Sequence, residues 1–396
     1  MNRRSFLTGS VGLTLGNLLA GCTGQNHPGL NVQMLNGSIP PQVLSEFRKY
    51  LRQSSNPAKV NFLPESQIQT LFSLLQTWKQ QSREKNPSTS SFWDWIPFLG
   101  NSQRRTIPDL VTLGDYWLSQ AIRQKLIQPL QPAKLNGWKS LVQAPWQLLV
   151  TRDSQGQPDP KGEVWAAPYR FGSTVIAYRQ DIFKEKGLQP PEDWNDLWRP
   201  ELKRQISLLD QPREVIGLVL KSLGASYNTS ELGSVPELES KLQALQSQVK
   251  LYSSDAYLQP LLLGDTWLAV GWSTDVLPMM QRSQAIAAII PKSGTALWAD
   301  LWVRPAQSTT AIPPLVWEWI NFCWQPEIAA QLSLLSKATS PAILQTEPAN
   351  LPLALRSSPL LWPKDETLEA SEFLYPLPES KITEYQQVWK RLRQAS

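Results

Sequence analysis

The stretch Gly264–Pro305, GDTWLAVGWSTDVLPMMQRSQAIAAIIPKSGTALWADLWVRP, decides how this chain of 396 residues is read. It holds two clusters of tryptophan and aspartate, Trp272 with Asp275 and Trp298 with Asp300 and Trp302. Each stands at the end of an apolar run where a strand would emerge. Indole faces and carboxylates both attract positive charge, so the two clusters together suit an organic cation held in a cleft.

The rest of the composition is compatible with such a cleft. A length of 396 residues with 41% hydrophobic content buries a sizeable core and favours two lobes over one. The formal charge of +5 is scattered, and no run alternates basic and aromatic residues as a nucleic-acid groove does, so no nucleic-acid partner is expected. His27 is the single histidine, which excludes a Ser-His-Asp or Cys-His nucleophile and a histidine-rich metal site. No cofactor is expected, and of the enzyme classes an exported hydrolase working with carboxylates alone stays open. Cys22 near the start and Cys323 in a later apolar helix make no disulfide framework.

Residues 1–21 read as an export signal: Arg3 and Arg4, then an apolar stretch of small residues, then Leu19-Ala20-Gly21-Cys22. The tetrad resembles a bacterial lipobox, which implies lipid attachment at Cys22, and Arg3-Arg4-Ser5-Phe6-Leu7 resembles a twin-arginine signal. Residues 22–29 are then a tether between the lipid and the folded body.

From Leu30 the chain alternates strand and helix, the rhythm of an α/β fold. Leu30–Leu35 and Val60–Leu63 read as strands, with amphipathic helices over Gln42–Leu51 and Ile68–Gln80. Asn86–Thr106 breaks the rhythm with Trp93, Trp95 and Phe98 in a Ser/Pro-rich segment. Ile107–Leu113 returns to strand, and Asp115 and Tyr116 stand at its C-terminal end, where open α/β sheets bind ligands. Trp165–Tyr178 is extended with no helical period, as a strand crossing between lobes would be. Ile206–Asp210 is a further strand, and Pro212 opens a helix carrying Glu214 in its first turn. Helices follow over Pro314–Trp324, Glu327–Ser336 and Glu379–Arg393, the last amphipathic and expected to dock on the body.

These pieces resemble the type II periplasmic solute-binding proteins of ABC importers, and within them the spermidine/putrescine-binding branch. The resemblance rests on Asp109-Leu110-Val111 with Tyr116, Pro168–Thr174, Leu209–Val215, Gly271–Asp275, and Pro291–Thr295 through Asp300 to Pro305, in the family's order. It implies a two-lobed α/β fold with a ligand cleft between lobes joined by crossing strands. Lobe one would be 30–168 and 272–304, and lobe two 169–271 and 305–396. The resemblance also implies that Trp272, Asp275, Trp298, Asp300, Tyr116 and Glu214 stack on a polyamine-like solute or pair with its ammonium groups. The expected partners are that small solute, an ABC permease and, through the lipid, the membrane; the protein would be a monomer in the periplasm or outside the cytoplasmic membrane.

Two features keep other readings open. Asn36-Gly37-Ser38-Ile39, after the first strand, has none of the aromatics that polyamine binders bring there, and Arg170 lies in a segment expected to line the cleft. A guanidinium repels a polyamine but clamps a carboxylate, so the same fold holding an amino-acid-like or carboxylate-bearing solute through Arg170 or Arg213 is one alternative. A lipoprotein that acts in assembly or sensing without transport is another.

Overall fold

Leu30, Val32 and Met34 are buried while their neighbours are half-buried, so the first apolar run folds as strand β1 (Leu30–Leu35). Strands β2 (Val60–Glu65) and β3 (Leu110–Gly114) lie parallel to it on either side. The other principal strands are β4 (Ala167–Arg179), β5 (Ile206–Leu208), β6 (Val249–Tyr252), β7 (Leu268–Trp272), β8 (Ile286–Ile289) and β9 (Ala296–Pro305). The principal helices are α1 (Pro41–Gln53), α2 (Ile68–Arg83), α3 (Asp115–Arg123), α4 (Pro212–Ser222), α5 (Leu238–Gln248), α6 (Ser273–Arg282), α7 (Pro314–Cys323), α8 (Pro326–Ser336) and α9 (Glu379–Gln394). The computed structural model describes residues 29–54, 58–83, 107–141, 146–308 and 311–394. The expected leader, Cys22, His27, and Trp93 with Trp95 lie outside the described residues.

One sheet runs through the molecule in the order β2-β1-β3-β9-β4-β7-β5-β6, with β8 also on β4. Strand β4 makes this possible. Its first part, Ala167–Ser173, pairs antiparallel with β9, and its second, Thr174–Arg179, pairs with β7 and β8. Strand β4 is buried along almost its whole length and not alternately, as suits a strand covered on both faces, although it carries Arg170, Ser173 and Thr174 among its apolar residues. The fold is therefore α/β with two lobes joined through β4 and β9.

The register of β4 on β9 shifts between Asp300 and Leu301: Asp300 faces Arg170, but Leu301 faces Pro168, leaving Tyr169 as the extra residue of a bulge. The displaced Tyr169 ring stacks on Trp302 with centroids 4.3 Å apart, and Trp302 meets Trp319 of α7 edge-on at 5.9 Å. Trp302 is fully buried, so it belongs to the core and not to a cleft wall. Asp300 and Trp302 also lie inside β9 and not at its end, because β3 pairs the strand through Asp300–Val303 on the side opposite β4.

Helices from the later part of the chain pack on elements from both halves of the sheet. Helices α7 and α8 pack on α1 and the first part of β4, with Trp319 against Phe47 at 4.8 Å, although 305–396 had been grouped with the second lobe. Helix α6 packs on β4, β7 and β8 although 272–304 had been grouped with the first. Helix α9 docks on α4 and α5, burying Tyr385 and Leu392. No helix among the described residues is long and apolar enough to cross a membrane.

Trp302→Ala removes the ring on which the bulge rests and leaves a large void; it is expected to cost about 3–5 kcal/mol in urea unfolding. A loss below about 1 kcal/mol would show that Tyr169 and Trp319 close the gap unaided.

Candidate functional site

Among the helices with an acid in the first turn are α3 with Asp115, α4 with Glu214 and α6 with Asp275. The positive end of each helix dipole favours a carboxylate there. Helices α3 and α6 follow directly from the C-terminal ends of β3 and β7, and α4 follows β5 after a short turn with Pro212 at its start.

Asp300 comes from β9. The bulge sets it opposite Arg170, whose Nε and Nη2 donate to Asp300 Oδ2 at 2.7 and 2.6 Å. Both residues are buried, Asp300 at 2% exposure and Arg170 at 7%. Burial pushes the Asp300 carboxyl above its ordinary value and Arg170 pulls it back part of the way; burial would lower Arg170, but Asp300 beside it holds the guanidinium charged. Trp298, two residues earlier on β9, is half-buried, with the Arg170 guanidinium 5.9 Å from its ring centroid. Its indole lies directly on Gly172 of β4, where any β-carbon would collide with it and with Ser273.

Glu214 and Asp275 meet around a second centre. Glu214 is buried, accepts the Thr174 hydroxyl at 2.9 Å and has the Trp272 indole beside it; burial raises its pKa, while the hydrogen bonds from Thr174 and Trp272 lower it. The Tyr257 hydroxyl donates to Asp275 Oδ2 at 2.8 Å and accepts the Trp272 backbone N–H at 3.1 Å. Asp275 is exposed along its length, but its carboxyl end is tucked against Tyr257 and its pKa is raised by desolvation. Tyr257 itself is buried and comes this close because Gly271 has no side chain.

Tyr116 is 70% exposed and lies within electrostatic range of Arg213 at the start of α4. The structure thus gathers Trp298 and Asp300 around Arg170, gathers Glu214, Asp275 and Trp272 around Tyr257, and leaves Tyr116 open on α3.

The cations nearby are occupied. Arg213 donates to the carbonyls of Tyr375 and Tyr227 and to Asn228 Oδ1 at 3.1, 3.4 and 3.2 Å, with its guanidinium over Tyr385. Arg152, lowered to about 10 by burial, donates to the carbonyls of Leu149 and Gly156. Among the described residues no Lys or Arg forms an ion pair with Asp115, Glu214 or Asp275. Three acids without a paired cation, flanked by Trp272 and Trp298, make a region able to accept positive charge and apolar chain together. No three His, Cys, Asp or Glu among the described residues are grouped to hold a metal.

Three participants escaped selection from sequence. Asp115 was noted at a strand end but not counted; its pKa is pushed up to about 7, by burial first and by the charge of Asp300. Tyr257 carries no periodic or motif signal, and the turn it occupies is visible only once β7 is in place. Arg152 sits after a short helix with nothing local to mark it.

Arg170→Ala strands Asp300 in the core and is expected to cost about 3–5 kcal/mol at neutral pH. Without the guanidinium, the folded-state pKa of Asp300 rises further above its ordinary value of 3.8. The penalty is therefore smallest below that value and grows as pH rises, which urea unfolding across pH reads directly. A penalty independent of pH would show that Asp300 is not the group left unpaired.

Residues 105–370 match the sequence profile of a family described as bacterial extracellular solute-binding protein. The spermidine/putrescine-binding periplasmic protein of Escherichia coli (strain K12) is 24% identical over 340 residues, covering 85% of this chain and 83% of its own. A putrescine-binding periplasmic protein of the same organism, PotF, is 28% identical over 242 residues, covering 57% and 62%. In structure, the spermidine/putrescine ABC transporter substrate-binding protein PotD from Streptococcus pneumoniae aligns with a TM-score of 0.74 at 20% identity, covering 92% of this chain and 98% of that one.

Proposed function

The chain belongs to the bacterial extracellular solute-binding proteins, and from that membership we propose that it captures a polyamine-like organic cation and delivers it to the permease of an ABC importer. Membership makes it a receptor and not an enzyme. The observation that carries the ligand class is the set of carboxylates without a paired cation, Asp115, Glu214 and Asp275, beside the indoles of Trp272 and Trp298. A buried carboxylate without a counter-ion costs several kcal/mol, and an ammonium arriving with its methylene chain removes that cost while the indoles exclude water. The names of the two Escherichia coli relatives point to the same class of ligand.

The pairing of Arg170 with Asp300, and the hydrogen bonds of both terminal nitrogens of Arg213, favour a cation over a carboxylate-bearing solute. Capture works by lobe closure: the ligand bridges groups on α3 and β9 with groups on α4, β7 and α6, and the closed population grows by the ligand's preference for it. The lipobox-like tetrad supports anchoring through Cys22, which would hold the receptor at the outer face of the membrane that carries the permease.

Isothermal calorimetry and thermal melting of the purified full-length protein with putrescine, spermidine and spermine test this reading. Heat of binding and a raised melting temperature are expected with at least one of them. Their absence with all three, alongside binding of a 4-aminobutanoate-type zwitterion, would move the ligand to the carboxylate-bearing class.

A further inference from the structure

Strand β4 brings its own cation to Asp300, one of the carboxylates that the sequence singled out. Two nitrogens of Arg170 converge on one oxygen of Asp300, at 2.7 and 2.6 Å, and the pair is buried. An ammonium approaching Asp300 meets a neutralised acid and a fixed guanidinium, and gains little there. The lobe that holds Asp300 nevertheless carries a second acid close by.

We infer that Asp115, and not Asp300, is the ammonium partner contributed by lobe one, with Arg170 standing permanently where a ligand ammonium would otherwise pair with Asp300. The inference rests on the organic-cation reading. Asp115 opens α3 directly after β3, at a level where Gly114 is the register partner of Asp300. Its carboxylate accepts the Tyr116 N–H at 3.0 Å and the backbone N–H of Ala299, the residue between Trp298 and Asp300. It therefore stands beside the Trp298 wall. Unlike Asp300 it is only half-buried, so a ligand can reach it, and the exposed Tyr116 ring is the next residue.

The charges that face Asp115 come from two elements besides its own. Asp300 on β9 repels it, but that charge is already compensated by Arg170. Arg152 attracts it from a distance while its donors are spent on the carbonyls of Leu149 and Gly156 and its guanidinium lies over Tyr375. Neither group is ion-paired with Asp115. With Glu214 and Asp275 across the cleft, Asp115 gives a diamine one anionic end in each lobe.

The test is calorimetry of the purified full-length protein with putrescine and spermidine at about pH 6 and about pH 8. Wild-type affinity is expected to be about tenfold weaker at the lower pH, because protonation of a carboxyl titrating at about 7 removes the anion. Asp115→Asn keeps the hydrogen bond accepted by the side-chain oxygen; it is expected to weaken binding about tenfold or more at about pH 8 and to flatten the pH dependence. The double variant Arg170→Met/Asp300→Leu removes both buried charges together, which preserves folding, and is expected to bind within about threefold of wild type with the pH dependence intact. Wild-type affinity for the amine in Asp115→Asn, a flat wild-type pH profile, or a tenfold loss in the double variant would each overturn the inference while leaving the organic-cation reading standing. Absence of any amine binding to wild type at about pH 8 would overturn both.

Discussion

The buried ion pair between Arg170 and Asp300 is the constraint from which the centre of the molecule is arranged. Each charge is tolerable only because the other is in contact, and contact requires that two residues 130 positions apart in sequence face each other across paired strands. The bulge at Tyr169 supplies that alignment, and the Tyr169–Trp302 stack fixes the bulge in the core. Trp298 follows from the same register, because its indole lies on Gly172, two residues beyond Arg170. Charge pairing, strand register and aromatic packing therefore determine one another.

That centre coincides with the place where the chain changes lobes. Strand β4 leaves β9 and joins β7 between Ser173 and Thr174, and the Ser173 N–H donates to the Ser273 hydroxyl at the start of α6 at 3.2 Å. The helices whose first turns carry Asp115, Glu214 and Asp275 belong to strands on both sides of this junction. The segment Glu372–Tyr375 ties the two sides again: the Tyr375 carbonyl accepts from Arg213, the Tyr375 ring lies under Arg152, and Glu372 pairs with Lys221 at 2.8 Å. The aromatic and acidic groups thus lie near the strands that join the two lobes.

Much of this architecture was legible in the sequence, because the signals are local. Helix periodicity located α1, α2, α4 and α7 to α9 but not α5 or α6, Pro212 marked the start of α4, and the extended run of Trp165–Tyr178, with no helical period, identified the crossing strand. The six site candidates came from the family resemblance, and of them Glu214 stands in a helix's first turn and Asp300 inside β9. What was hidden depends on register and long-range contact. No local pattern shows that Arg170 faces Asp300, that Tyr257 comes from a turn to join Asp275 with Trp272, or that a bulge turns Trp302 into core. Contacts between distant stretches were hidden for the same reason: α7 and α8 resemble any apolar helices until Trp319 is seen against Phe47 and Phe62.

A receptor that stores a cation of its own inside its cleft is also easily retuned. The places of Asp300 and Trp298 along β9 are set by its pairing with β3 and β4. Losing the guanidinium would leave Asp300 buried and unpaired, so the anionic subsite opens only where an incoming ammonium takes the guanidinium's place, and regaining the guanidinium closes it. Descendants of such a protein can thus diverge in the solutes they take up by single steps, each of which trades internal neutrality for external reach.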